Sequence, residues 1–435
     1  MSRLATASRI ADFCAAVSSD PDTIRTHTSG LDDYAIDGMA PDAVIGPTSI
    51  EQLQSILTEA SASGVSVIPL GGGTHLGAGN APASYDVALS LARLNRIVEY
   101  EPADLVVSVE AGVRLVDLAG LLAAQGQFLP LDPPCRASAT VGGVLAANAY
   151  GPLRHAYGIA RDWLIGIRVV GADGSISKSG GRVVKNVAGY DMHKLYVGSL
   201  GSLGVIAEAT FKLSPLPEMD ATIAVDCRSA THAAELVLAA QDAGLALQAA
   251  ELLSPPASHA VLGRSAWSIL ARCGGGSAAV ARTLREIEVA SKATGATVEA
   301  RDSAAGWEAW SAAFRPGHLT LRISVMPSVT GEAIEVLDRR LAGAGAHLSA
   351  TMTAGVIRAN MQASHGTRPG ALVDTVRDVA SRYGGSVVLD AAPPLLKRDV
   401  DAFGPLRSDF PIMKRLKDQF DPKRTLSPGR FVGRL

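Results

Sequence analysis

Pro69-Leu70-Gly71-Gly72-Gly73-Thr74-His75-Leu76-Gly77-Ala78-Gly79 decides the reading of this 435-residue chain. An apolar strand, Val65 to Leu70, runs straight into these glycines. Before it, Ser49 to Ser63 carries Ile50, Leu53, Ile56 and Leu57 at helical spacing, so residues 41 to 70 predict a β-α-β unit. Glycine at this density admits positive φ and lets backbone N–H groups approach a ligand closely. Gly79-Asn80-Ala81-Pro82 follows, rather than an amphipathic helix whose N-terminus could hold a pyrophosphate, which disfavours a Rossmann loop. The Gly-Lys-Ser/Thr ending of a nucleoside-triphosphatase loop is missing as well.

Two further segments strengthen the case. Ala139-Thr140-Val141-Gly142-Gly143-Val144-Leu145-Ala146-Ala147-Asn148 and Gly198-Ser199-Leu200-Gly201-Ser202-Leu203-Gly204-Val205-Ile206 also present backbone with little side-chain obstruction. Three such approaches fit one long ligand better than three unrelated turns. Between them the chain predicts a strand at Leu105 to Val109, a helix at Leu115 to Gln125 and a hairpin about Ala172-Asp173-Gly174. The strand Val205 to Leu213 follows, turning Glu208, Thr210 and Lys212 outward. Pro215 and Pro217 mark a domain boundary.

Composition narrows the function. Net charge is −2, with 47% hydrophobic and 19% charged residues, which describes a globular protein without the basic footprint of a nucleic-acid binder. The four cysteines, Cys14, Cys135, Cys227 and Cys273, are too scattered for a disulfide framework or a zinc or iron–sulfur motif. Met1 to Ser19 is a poor secretory signal, and no apolar run reaches the roughly 20 residues that cross a bilayer. The expected home is the cytoplasm, with membrane association only through partner subunits.

The three glycine-rich segments resemble the signature segments of FAD-binding oxidases of the vanillyl-alcohol-oxidase/PCMH type, over roughly residues 35 to 215. Gly181 to Asp191 resembles the FAD-binding subunit of bacterial glycolate oxidases, and the tail Phe420 to Arg430 resembles the C-terminal motif of the wider family, with Ser427 in place of the usual Asn. The resemblance implies an α+β chain. A two-subdomain PCMH-type FAD-binding domain would span 1–216, and a ferredoxin-like antiparallel cap 217–390. Residues 391–435 would return to the FAD domain. The cap reading agrees with the strand, helix, strand, strand, helix, strand order of Ala221 to Asp390, used twice about a helix at Gly306 to Phe314.

On this resemblance Pro69, Gly71, Gly72, Gly73, Thr74 and His75 hold the FAD pyrophosphate. Thr140, Gly142, Gly143 and Asn148 line the path to the ring system, and Gly204, Val205 and Ile206 offer backbone hydrogen bonds. Thr74 stands where covalent members carry the flavin-linked histidine, so FAD is expected to be non-covalent. Lys185 and Tyr190, in the loop with Asp191, are candidate catalytic residues, with Lys185 placed to supply a cation near the flavin. Arg322 is either a carboxylate grip or a strand arginine paired with a neighbouring acid. Ser364-His365-Gly366 lacks the companions a metal site needs, so no metal is expected. The implied activity is oxidation of a small 2-hydroxy acid, glycolate- or D-lactate-like, beside a second flavin subunit and an iron–sulfur subunit. A non-catalytic electron-transfer or assembly subunit, and a stand-alone oxidase of another alcohol, are the alternatives.

Overall fold

The computed structural model describes residues 3–17, 23–26, 30–183, 190–362 and 368–435. Near its start, four strands form a sheet in the order Ile24–Arg25, Ala43–Ile45, Val87–Ser90, Val67–Leu70, with the last three mutually parallel. The expected helix is Ile50–Ser63, capped by the Ser49 side chain, which accepts from the Gln52 amide, and stopped by left-handed Gly64. Ile50, Leu53, Ile56 and Leu57 are all buried, as their spacing predicts. Each such side chain contributes roughly 1.5–3 kcal/mol on burial, against about 1 kcal/mol for the cap. Packing therefore holds this helix, and its strand delivers the glycine loop to a fixed place.

A second, antiparallel sheet runs Ile97–Glu101, Val106–Glu110, Val205–Lys212, Leu164–Val170, Ile176–Gly180. Its last two strands are the hairpin about Asp173, and along Val205–Lys212 the buried residues alternate with Glu208, Thr210 and Lys212. These two sheets share one hydrophobic core, which Leu426 joins from the far end of the chain.

Residues 219–391 form one eight-stranded antiparallel sheet. The first βαββαβ unit contributes Thr297–Arg301, Met219–Cys227, Trp267–Gly275 and Leu247–Leu253 in spatial order; the second contributes His347–Thr351, Val356–Met361, Leu319–Ser324 and Ser386–Ala391. Each is ferredoxin-like, and they meet through their second strands, where Glu251, Leu252 and Leu253 face Thr351, Ala350 and Ser349. The helices Ala230–Asp242, Ser277–Thr294, Thr330–Leu341 and Pro369–Arg382 cover one face over a core of their own. Strand alternation sends Ala224, Leu253 and Leu270 to the opposite face, under Trp310 of the helix Ser303–Ala313.

The chain then returns. After the helix Phe410–Phe420, the Val67 amide donates to the Thr425 carbonyl at 2.8 Å and the Ser427 amide donates back to Val67 at 2.9 Å. The tail thereby adds itself to the strand that feeds the glycine loop.

Candidate active site

Gly71 and Gly72 lie against the second glycine-rich segment with no room for a side chain. A methyl group at Gly71 would sit 2.0 Å from Thr140 Oγ1, and one at Gly72 would sit 1.6 Å from the Ser138 carbonyl oxygen. Their outer side is open, with Gly72 and Gly73 exposed. Thr140 precedes the short helix Val141–Ala147, in which Gly142 packs on Ala111, and Asn148 ends that helix in the left-handed conformation. The third segment is tied to the second by the Gly198 amide donating to Leu145 and the Leu200 amide to Ala146, each at 2.9 Å. All three predicted segments thus converge on one groove, lined by Gly71 to His75 together with Gly143, Ala146, Ala147 and Leu200.

Three buried side-chain atoms of these segments, Thr140 Oγ1, Asn148 Oδ1 and Ser199 Oγ, have no hydrogen-bond partner within the chain. Buried polar atoms are ordinarily paired. A flavin dinucleotide in the groove would answer both observations, with its phosphates against the bare Gly71–His75 backbone and polar atoms within reach of the orphans. Val205 and Ile206 put their side chains in the core. Their backbone pairs with Val170 and Val169 on one side, while the ladder to Val106–Glu110 begins only at Glu208. Gly204 is confined by Val169 Cγ1 and Tyr196.

The cradle is braced by cations that the sequence did not single out. Buried Arg430 donates to the Leu76 and Ala78 carbonyls at 2.8 and 2.7 Å, just beyond the loop. Burial lowers its pKa to about 10, with Asp37 and Tyr85 opposing the shift. Fully buried Lys397 is paired with Asp37 at 2.9 Å and also donates to the Gly77 carbonyl.

Where the cradle meets the cap sheet, Tyr150 is surrounded by three guanidinium groups. Those of Arg154, Arg358 and Arg322 lie 4.3, 4.9 and 5.7 Å from its ring centre. Burial would raise the phenol pKa, but Arg322, Arg358 and Arg154 outweigh it and hold the group below its ordinary value. Arg322 and Arg358 stand directly opposite each other on neighbouring strands, a repulsive arrangement unless acids intervene. Asp390 takes Arg322 through Nε at 3.1 Å and Nη2 at 3.1 Å. Glu251 lies near Arg358 and accepts from Ser349 and Thr351; burial raises its pKa against the pull of Arg358 and those hydroxyls. Arg358 donates Nη2 to the Tyr150 carbonyl at 2.8 Å, and its buried Nη1 has no partner.

The turn carrying Tyr150 and Arg154 is held by Asp132, which accepts from the Gly151 and Leu153 amides at 3.1 and 2.8 Å. Burial lifts the Asp132 pKa to about 7, although the Leu153 amide, Arg358 and Arg136 favour the carboxylate. His155, bonded to Thr353 Oγ1 at 3.0 Å, is driven by burial down to about 4. His75 is bonded to Thr74 Oγ1 at 3.0 Å; burial lowers its pKa, Asp390 opposes this, and Arg322 and Arg358 add to it. The end of the glycine loop reaches this cluster directly, since a methyl group at Gly77 would sit 3.7 Å from the Asp390 carbonyl oxygen.

Of the residues proposed for chemistry, Arg322 is in the cluster, already engaged by Asp390. Tyr190 is 91% exposed and takes no part in the cluster. Lys185 and His365 lie outside the described residues. Among the described residues no three His, Cys, Asp or Glu side chains group as metal ligands. No helix described is long and apolar enough to cross a membrane.

Comparisons with known proteins agree with this architecture. Residues 41–180 match the FAD binding domain, and residues 216–431 match the C-terminal domain of FAD linked oxidases. The chain therefore belongs to the FAD-linked oxidases, an oxidoreductase family, and its cofactor is FAD. It is 39% identical over 183 residues to glycolate oxidase subunit GlcD of Bacillus subtilis (strain 168), covering 42% of this chain and 39% of that protein. It is 43% identical over 122 residues to glycolate oxidase subunit GlcE of Escherichia coli (strain K12), covering 28% and 35%. Each match thus spans under half of the relative's length. The crystal structure of p-cresol methylhydroxylase superposes with a TM-score of 0.79 at 17% identity, covering 99% of this chain and 97% of that one, and shares the fold.

Proposed function

We propose that this chain oxidises a small 2-hydroxy acid, glycolate- or D-lactate-like, with non-covalently bound FAD. The observation that carries the reading is Arg358, a buried guanidinium with Nη1 unpartnered beside a phenol whose acidity three arginines enhance. Arg358 would grip the substrate carboxylate, a task suited to its fixed fork of donors. Arg322 Nη1, 3.5 Å from the Tyr150 hydroxyl, would leave the phenol oriented to exchange the proton of the substrate hydroxyl. FAD, when bound, supplies the hydride acceptor. The cap sheet and the Tyr150 turn would exclude water from between them.

The relatives named as glycolate oxidase subunits support a place in a multi-subunit enzyme. A second flavin subunit and an iron–sulfur subunit would complete it. The competing reading, an electron-transfer or assembly subunit, draws on Asp390 occupying the Arg322 fork. Purified chain should be yellow and release its flavin on acid precipitation. Anaerobic glycolate or D-lactate should then bleach the protein, and Arg358→Gln should not bleach. Colour without bleaching by either acid would favour the electron-transfer reading.

A further inference from the structure

We infer that the cap carries a second small-molecule site, unrelated to the flavin, for a compact apolar molecule ending in one hydroxyl or carbonyl. Between the helices Ala230–Asp242 and Ser277–Thr294 and the sheet beneath lies a cavity of about 150 Å³. Its walls include Val225, Leu236, Ala240, Leu247 and Ile269, and Ser291 is one of its few polar lining residues.

Two features there are each unfavourable. The pocket opens between the two helices, where Ala239, Ala243, Glu286 and Ala290 are exposed, so its apolar walls are left against water. Ser291 is 1% exposed, and its Oγ has no partner in the chain; a buried hydroxyl ordinarily finds one. One molecule with an apolar body and a single oxygen removes both defects. An apolar cavity of this volume accepts a ring the size of benzene. The small facing residues Ala239, Ala240, Ala243 and Ala290 line it where the two helices approach, and larger side chains there would close it.

The site is independent of the flavin chemistry. Ile223, Val225 and Ala250 turn toward the cavity, while their strand neighbours Ala224 and Leu253 pack beneath Trp310 on the other face of the sheet. Cyclohexanol and methylcyclohexane, equal in heavy atoms, are the probes, titrated calorimetrically into the full FAD-loaded chain. The expected result is saturable one-to-one binding of both, cyclohexanol tighter by about fivefold, the worth of one ordinary hydrogen bond. Ser291→Ala should erase that preference while keeping methylcyclohexane. Ala240→Phe should abolish binding of both, with Ala290→Leu as the filling variant if circular dichroism shows that Ala240→Phe does not fold. Absence of saturable binding to the unaltered chain, or unchanged binding in the filled variant, overturns the site. Equal affinity for the two probes overturns the role of Ser291. Flavin content and bleaching should be the same in all these variants.

Discussion

Asp132 and Arg358 are the residues on which the proposed chemistry leans most, and each makes a quantitative claim. Removing the Arg358 fork while keeping its charge, as in Arg358→Lys, should raise KM for the hydroxy acid and lower kcat/KM by about 10- to 100-fold, the range of a charge-assisted hydrogen bond. Steady-state kinetics on glycolate would check this. The folded pKa of Asp132, about 7, lies above the ordinary carboxylate value. Folding therefore favours the protonated form, and stability should fall as pH rises from about 4 through 7 and level off above. Urea unfolding at pH 5 and pH 8 should show the loss, and Asp132→Asn should flatten the slope while loosening the Tyr150 turn. Gly72→Ala would put a methyl group 1.6 Å from a carbonyl oxygen, so flavin content per purified chain should drop severely. The glycine loop was legible because composition alone marks it. Tyr150, Arg358 and Asp390 were not, being single residues on separate elements that only the strand register brings together. Arg322 was found from its strand, but its acid partner, 68 residues away, was not.

At the scale of elements, the sequence made the repeated βαββαβ order readable through its alternation of apolar strands and amphipathic helices. Which edges join was not readable, since the Leu247–Leu253 strand could satisfy its free edge with any partner of suitable length. The tail is the less expected element. Its helix buries Lys417, which donates to Asp421 at 2.6 Å and to the Ser202 and Leu426 carbonyls at 2.8 Å each. Lys417→Met leaves Asp421 fully buried without its counter-charge, and breaking such a pair costs about 3–5 kcal/mol. Chemical denaturation of the purified variant should register that loss. Because the Asp421 carboxylate also accepts from the Thr425 and Leu426 amides, the tail should detach from the Val67 strand and flavin retention should fall with it.

Across the whole molecule, the hydrophobic core under the two N-terminal sheets and the core of the cap sheet share no residue. Their independence predicts two calorimetric transitions in the flavin-free protein. Added FAD should raise the one belonging to the N-terminal core, by about 2.7 kcal/mol of stabilisation at a hundredfold excess over Kd, and draw the two together. A single transition that FAD does not move would contradict this division. The return of the tail also imposes an order of events in the cell. Arg430 grips the Asn80 carbonyl from 350 positions downstream, so a ribosome must translate the entire cap before the glycine loop acquires its brace. The nascent chain therefore carries its glycine loop without this brace until synthesis has passed residue 430.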